Sequence, residues 1–187
     1  ELAKSARQAS EKVRAACKNY STPIDYGIAP LDLNKIAALI NADMSTRLYY
    51  TSFRRNAFDT HVQQPNLHQR LLTYFSDAVS GFFNDMERIG RADDVVMLVF
   101  SEFGRRVAEN TNLGTDHGTA NNMYLIGNAV QGGHYGDLPS LTELNDGNMQ
   151  HTTDFRQVYA TAISGWLGLE AHEKVLRYRF KDFPVFS

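Results

Sequence analysis

The stretch that most constrains this chain is its longest amphipathic segment. Leu71, Leu72, Phe75, Ala78, Val79, Phe82, Phe83 and Met86 recur at helical spacing, which predicts a helix running from Leu67 to near Gly90. Asn66, with Gln69 three residues on, resembles a capping box at its start. Two short apolar runs flank it. "RLYYTSF" (47–53) is aromatic and β-branched, and "VVMLVF" (95–100) is wholly apolar, as in a strand covered on both faces. Strand, helix, strand in that order predicts a βαβ unit with parallel strands and a right-handed crossover.

The rest of the chain fits around that unit. At 187 residues it is long enough for one domain with a sizeable core, and no linker, internal repeat or low-complexity tract divides it. We therefore expect a single α/β domain over 1–187, with a helical lead-in at 1–45 and a core at 46–187. Leu2, Ala6, Ala9, Val13, Ala16 and Cys17 share one helical face, and "APLDLNKIAALINADM" reads as a second helix with Pro30 near its start. "NMYLIGNAV" (122–130) is a third strand candidate, and the Gly-rich "QGGHYGDLPS" after it is a loop. "TDFRQVYATAISGWLG" predicts the last helix, capped by Thr153 or Asp154. Tyr49, Tyr50, Phe82, Phe83 and Trp166 are expected in the core.

Loops that leave the carboxyl ends of parallel strands share one edge of a sheet, where α/β proteins place their sites. "NAFDTH" (56–61) and "SEFGR" (101–105) are expected at that edge. If the third strand runs antiparallel, its entry loop brings "GTDHGT" (114–119) to the same place. Asp59, His61, Glu102, Asp116 and His117 are then hard or borderline ligands for a divalent ion such as zinc or manganese. A carboxylate and two imidazoles from Asp59, His61 and His117 would leave a coordination position open, the layout of a catalytic metal site. Glu102 would hold a second ion or bond to a ligand histidine, and Arg105 would pair with an anionic substrate. Against this stands a plainer reading. Asp59 would cap a turn, Glu102 and Arg105 would form a surface ion pair, and His68, His134, His151 and His172 would be solvated or structural.

Composition excludes several classes. A formal net charge of −2 gives no overall attraction to nucleic acid or acidic membranes, and basic residues do not cluster with aromatics. The lone cysteine, Cys17, rules out an internal disulfide and a cysteine-based zinc site. No apolar run approaches the ~20 residues that cross a bilayer. There is no Gly-x-Ser-x-Gly elbow, phosphate-binding loop, His-Glu-x-x-His or dinucleotide fingerprint.

"FDTHVQQPNLHQRLL", "VVMLVFSEFGRRVAENTNLGTDHGTANNMYLIGNAVQGGHYGD" and "TTDFRQVYATAISGWLGLE" resemble successive blocks of domain of unknown function family 1501. Those are bacterial proteins, many with a twin-arginine export signal, placed in the alkaline phosphatase and sulfatase superfamily. The resemblance implies a three-layer αβα fold, mostly parallel with one antiparallel strand, and a metal-dependent hydrolase of phosphate or sulfate esters. It also implies zinc, manganese or calcium as the ion, a small anionic ester as substrate, and a periplasmic or cell-surface location. Asp59, His61 and His117 match superfamily metal ligands, although Asp59 and His61 are separated by one residue where the superfamily usually has three. Glu102 stands where phosphatases carry Asp-His and sulfatases Asp-Asn, so Phe103 replaces a ligand of the second ion. The superfamily's nucleophile lies toward the amino end and has no match here, which implies a carboxyl-terminal portion of a longer domain. A non-catalytic surface or assembly protein keeping the same fold is the second reading, and a carbohydrate- or anion-binding module the third.

Overall fold

The computed structural model describes residues 2–29 and 31–186. It divides into two compact units, one of residues 1–60 and 65–92 and the other of residues 61–64 and 93–187. Among the described residues no helix is long and apolar enough to cross a membrane.

The first unit is helical. α1 (Leu2–Asn19) packs on α2 (Leu33–Asn41), but only its last turn is covered: Ala16 and Cys17 are half-buried, while Ala6, Ala9 and Val13 stay exposed. α2 contributes Leu33, Ala37, Ala38 and Ile40 to the core, with Leu31 just before it. Pro30, expected near its start, lies outside the described residues. α3 (Gln64–Arg88) buries Leu71, Ala78, Val79, Phe82 and Met86 along one face, as the periodicity requires. It starts earlier than expected. Pro65 lacks an N–H and suits a first turn, where N–H groups have no helical partner. Asn66 and Gln69 therefore sit inside the helix and do not cap it.

A buried carboxylate fastens the 20–26 segment to α3. Asp85 is 0% exposed and accepts hydrogen bonds from Tyr20 Oη (2.6 Å), Tyr26 Oη (2.6 Å), Thr22 Oγ1 (2.8 Å) and Arg88 Nε (2.7 Å). Burial works against its charge, but these donors prevail and hold the carboxyl below the usual carboxylate range. Burial and the adjacent Asp85 carboxylate push the Tyr20 phenol up to about 12, and Tyr26 also rises.

The strand expected at 47–53 does not form. Tyr49, Thr51 and Phe53 are half-buried and Leu48, Tyr50 and Ser52 exposed, the alternation of a strand. A strand also needs a ladder partner, and no described backbone group of 48–53 bonds to another backbone group. Side chains anchor the segment instead: the Thr51 hydroxyl donates to the Leu31 carbonyl, and Phe53 packs edge-on against Phe58 at 5.1 Å. Tyr50 is 77% exposed, so it is not a core residue. Of the other expected core aromatics, Phe82 is buried, and Tyr49, Phe83 and Trp166 are half-buried.

Among its described residues the second unit carries three two-stranded antiparallel ribbons. β1 (Met97–Val99) pairs with β4 (Tyr124–Ile126), Leu98 opposite Leu125. β1 is half-buried throughout and not covered on both faces, because a two-stranded ribbon shields little of its own surface. β2 (Gly104–Arg105) pairs with β3 (His117–Gly118), and β5 (Leu144–Asn145) with β6 (Asn148–Met149). Asp146 and Gly147 turn the last ribbon with φ of 49° and 75°, the positive pair that an Asp-Gly hairpin turn demands. α4 (Phe155–Thr161) is capped by the Asp154 carboxylate, which accepts from Arg156 N at 2.9 Å. A π-helical turn (Ala162–Trp166) continues it, and a short α5 (Glu173–Leu176) follows.

Candidate metal centre

The β2–β3 ribbon is the frame on which the candidate residues are placed. Its register sets Arg105 opposite His117 and Gly104 opposite Gly118. A Cβ on Gly104 would lie 1.6 Å from the Ala120 carbonyl oxygen, so only glycine lets the chain approach this closely. Arg106 N donates to the Asp116 carbonyl at 3.0 Å and continues the ladder toward the loop.

That loop is organised by Asn110. Its Oδ1 accepts from Asn112 N (2.9 Å) and Gly114 N (3.1 Å), closing a tight turn. Its Nδ2 donates to the His61 carbonyl and to Asp116 Oδ1, both at 3.1 Å. Gln63 N and Gln64 N donate to the Asn112 and Leu113 carbonyls at 2.9 Å each, which stitches 61–64 onto the loop. Gly114 makes this docking possible, since a Cβ there would fall 2.3 Å from the His61 carbonyl oxygen.

The result brings His61 against His117. Their Nε2 atoms are 3.1 Å apart and their ring centroids 4.8 Å. On the other side of His61, Nδ1 faces Asp116 Oδ1 at 3.7 Å, too long for a hydrogen bond but close enough for attraction. The Asn110 amide, and then His61, hold the Asp116 carboxyl below its ordinary range. Asp59, two residues before His61, is exposed.

These donors fit a divalent ion. Nitrogen ligands ~2.0–2.1 Å from zinc stand about 3.3 Å apart in a tetrahedron, close to the Nε2 separation here. Asp116 and Asn110 supply the outer contacts that orient a ligand histidine.

The other sequence candidates divide. Glu102 is exposed. Arg105 Nη1 donates to the Thr115 carbonyl at 2.8 Å, and its guanidinium carbon lies 5.1 Å from the Phe103 ring centre. His68 packs edge-on to Phe58, while His134 and His151 are exposed. His172 is only 3% exposed. Its Nε2 accepts from Phe180 N at 3.1 Å, so Nδ1 carries the proton and donates to Ser164 Oγ at 2.8 Å. A serine that accepts from histidine is not activated by it, and the pair is structural.

Sequence reading missed Asn110 and the contact of Phe103 with His117. Asn110 had a signal in "NTNLG", a turn-forming Asn four residues before Gly; the aromatic contact had none.

A family model described as a protein of unknown function (DUF1501) matches residues 35–184. Among curated proteins and solved structures, none matches the chain.

Proposed function

Because this chain belongs to that family, we propose that it forms part of a metal-dependent hydrolase of phosphate or sulfate esters. One observation carries the reading: the Nε2 atoms of His61 and His117 face each other at 3.1 Å, with the Asp116 carboxylate beside His61. The proposal includes the three-layer αβα fold of the alkaline phosphatase and sulfatase superfamily and export to the periplasm or cell surface.

In this reading Asp59, His61 and His117 hold zinc, manganese or calcium, and Glu102 serves a second ion. When bound, the ion would polarise the ester oxygens and favour ionisation of the attacking group. Asp116 faces the outer nitrogen of His61 and keeps its Nε2 lone pair turned inward. Arg105, half-buried and opposite His117 on the ladder, would steady the anion in this reading. No nucleophile is assigned within 1–187.

The test uses the full-length protein. Elemental analysis is expected to find a divalent metal, and p-nitrophenyl phosphate or sulfate to be hydrolysed. His117→Ala should lose the metal and at least ~100-fold in kcat/KM, the scale of losing a catalytic group. Metal-free protein with unchanged turnover in His117→Ala would end the reading.

The second reading, a non-catalytic surface or assembly protein, draws on Phe103, an aromatic residue where the superfamily carries a nitrogen or amide ligand. It predicts a full-length protein whose stability is indifferent to zinc, manganese and calcium.

A further inference from the structure

Phe103 does more than vacate a ligand position. Its ring lies face to face with the His117 imidazole, centroids 3.6 Å apart and planes inclined by only 13°. The backbone under that ring is pinned: the Phe103 carbonyl accepts from Ser101 Oγ at 2.8 Å and from Asn121 Nδ2 at 2.9 Å, and Asn121 Nδ2 also donates to Ser101 Oγ at 2.6 Å. Phe103 stands just before β2, two residues from Arg105, so extended alternation sets both on one side, and Arg105 is the residue opposite His117. Phe103 is thus the diagonal neighbour, the cross-strand relation within reach of a large aromatic ring. The Arg105 guanidinium, also near the Phe103 ring, is itself tied to the Thr115 carbonyl.

The two histidines are oriented by different means. His61 has its carbonyl held by Asn110 and a carboxylate facing its outer nitrogen. For His117 the extended contact is a flat ring, which opposes tilting of the imidazole out of the plane that faces His61. We infer that Phe103 is a positioning residue for His117: it fixes the imidazole plane so that Nε2 presents to the cation shared with His61. This rests on the metal reading above and extends it, since the residue that removes a ligand of a second ion becomes a support for the first.

The test is a cobalt(II) titration of the full-length protein, followed by its visible absorption and by competition with zinc. Phe103→Met keeps the volume but loses the flat ring, and it should weaken binding about 10–100-fold, as loss of an orienting contact does. Phe103→Tyr keeps the ring and should stay within about threefold of the parent. The melting temperature in chelator should be alike for all three, which separates positioning from general stability. Should Phe103→Met lower that temperature, Phe103→Tyr and Phe103→Leu, compared at equal folded fraction, carry the same contrast. Parental affinity in Phe103→Met, with binding lost in His117→Ala, would overturn the inference alone. Parental affinity in His117→Ala would overturn it together with the metal reading.

Discussion

Replacing Asp85 by alanine removes the acceptor of four hydrogen bonds at once. Deleting one partner of a buried ion pair costs about 3–5 kcal/mol. Tyr20, Thr22 and Tyr26 are half-buried and can recruit water, which favours the lower end, near ~3 kcal/mol. For a chain of this length that is a fall in Tm of roughly 6–12 °C. Asp85→Asn should cost less, about 1–2 kcal/mol. Its oxygen still serves Arg88 and Thr22, and the tyrosine hydroxyls can rotate to accept from its amide. The sign with pH follows from the lowered carboxyl. Above the unfolded value of ~3.9 both states are ionised and the stabilisation is complete. As pH falls below it the unfolded chain protonates first, and the contribution fades until the folded carboxyl also protonates. Thermal melts of parent, Asp85→Asn and Asp85→Ala between pH 7 and 3, read by circular dichroism, should therefore show a wide gap that closes in acid. A gap under about 2 °C at pH 7, or one unchanged at pH 3, would refute the reasoning.

Two further expectations follow from close approaches and tautomers. Gly114→Ala would place a methyl 2.3 Å from the His61 carbonyl; we expect zinc affinity measured by competition to drop about tenfold or more as His61 is displaced. Ser164→Ala should leave ester hydrolysis by the full-length protein unchanged, because Ser164 accepts from His172 and is not activated by it. A loss of kcat beyond about tenfold would reopen Ser164 as a nucleophile.

What could be read ahead was whatever repeats locally. The stripe Leu71, Ala78, Val79, Phe82, Met86 announces α3 because helical burial depends on spacing alone. The Asp154 cap was legible for the same reason. The segment 47–53 was not, since a strand is defined by its partner and no local pattern supplies one. Asp85 escaped notice because the residues that satisfy it, Tyr20, Thr22 and Tyr26, stand about sixty positions away in the chain. The Asp146–Gly147 turn was visible as a dipeptide and was passed over inside a polar stretch. Within the candidate centre, residue chemistry pointed to Asp59, His61, Glu102, Asp116 and His117; the fold sets His61 beside His117 and Asp116, while Glu102 stands exposed. Asn110 and Phe103 act through backbone and ring contacts that residue chemistry does not encode.

A π-helical turn closes on the fifth residue back and so takes one residue more than an α-helical turn, and Leu167 N reaching back to the Ala162 carbonyl closes it here. Deleting a single position between 162 and 166 would let the α register close. A deletion at 165 or 166 would also rotate Ser164 by about 100° relative to the residues after it, away from His172. The irregularity therefore sets the direction of Ser164 and, through His172, holds the backbone N–H of Phe180.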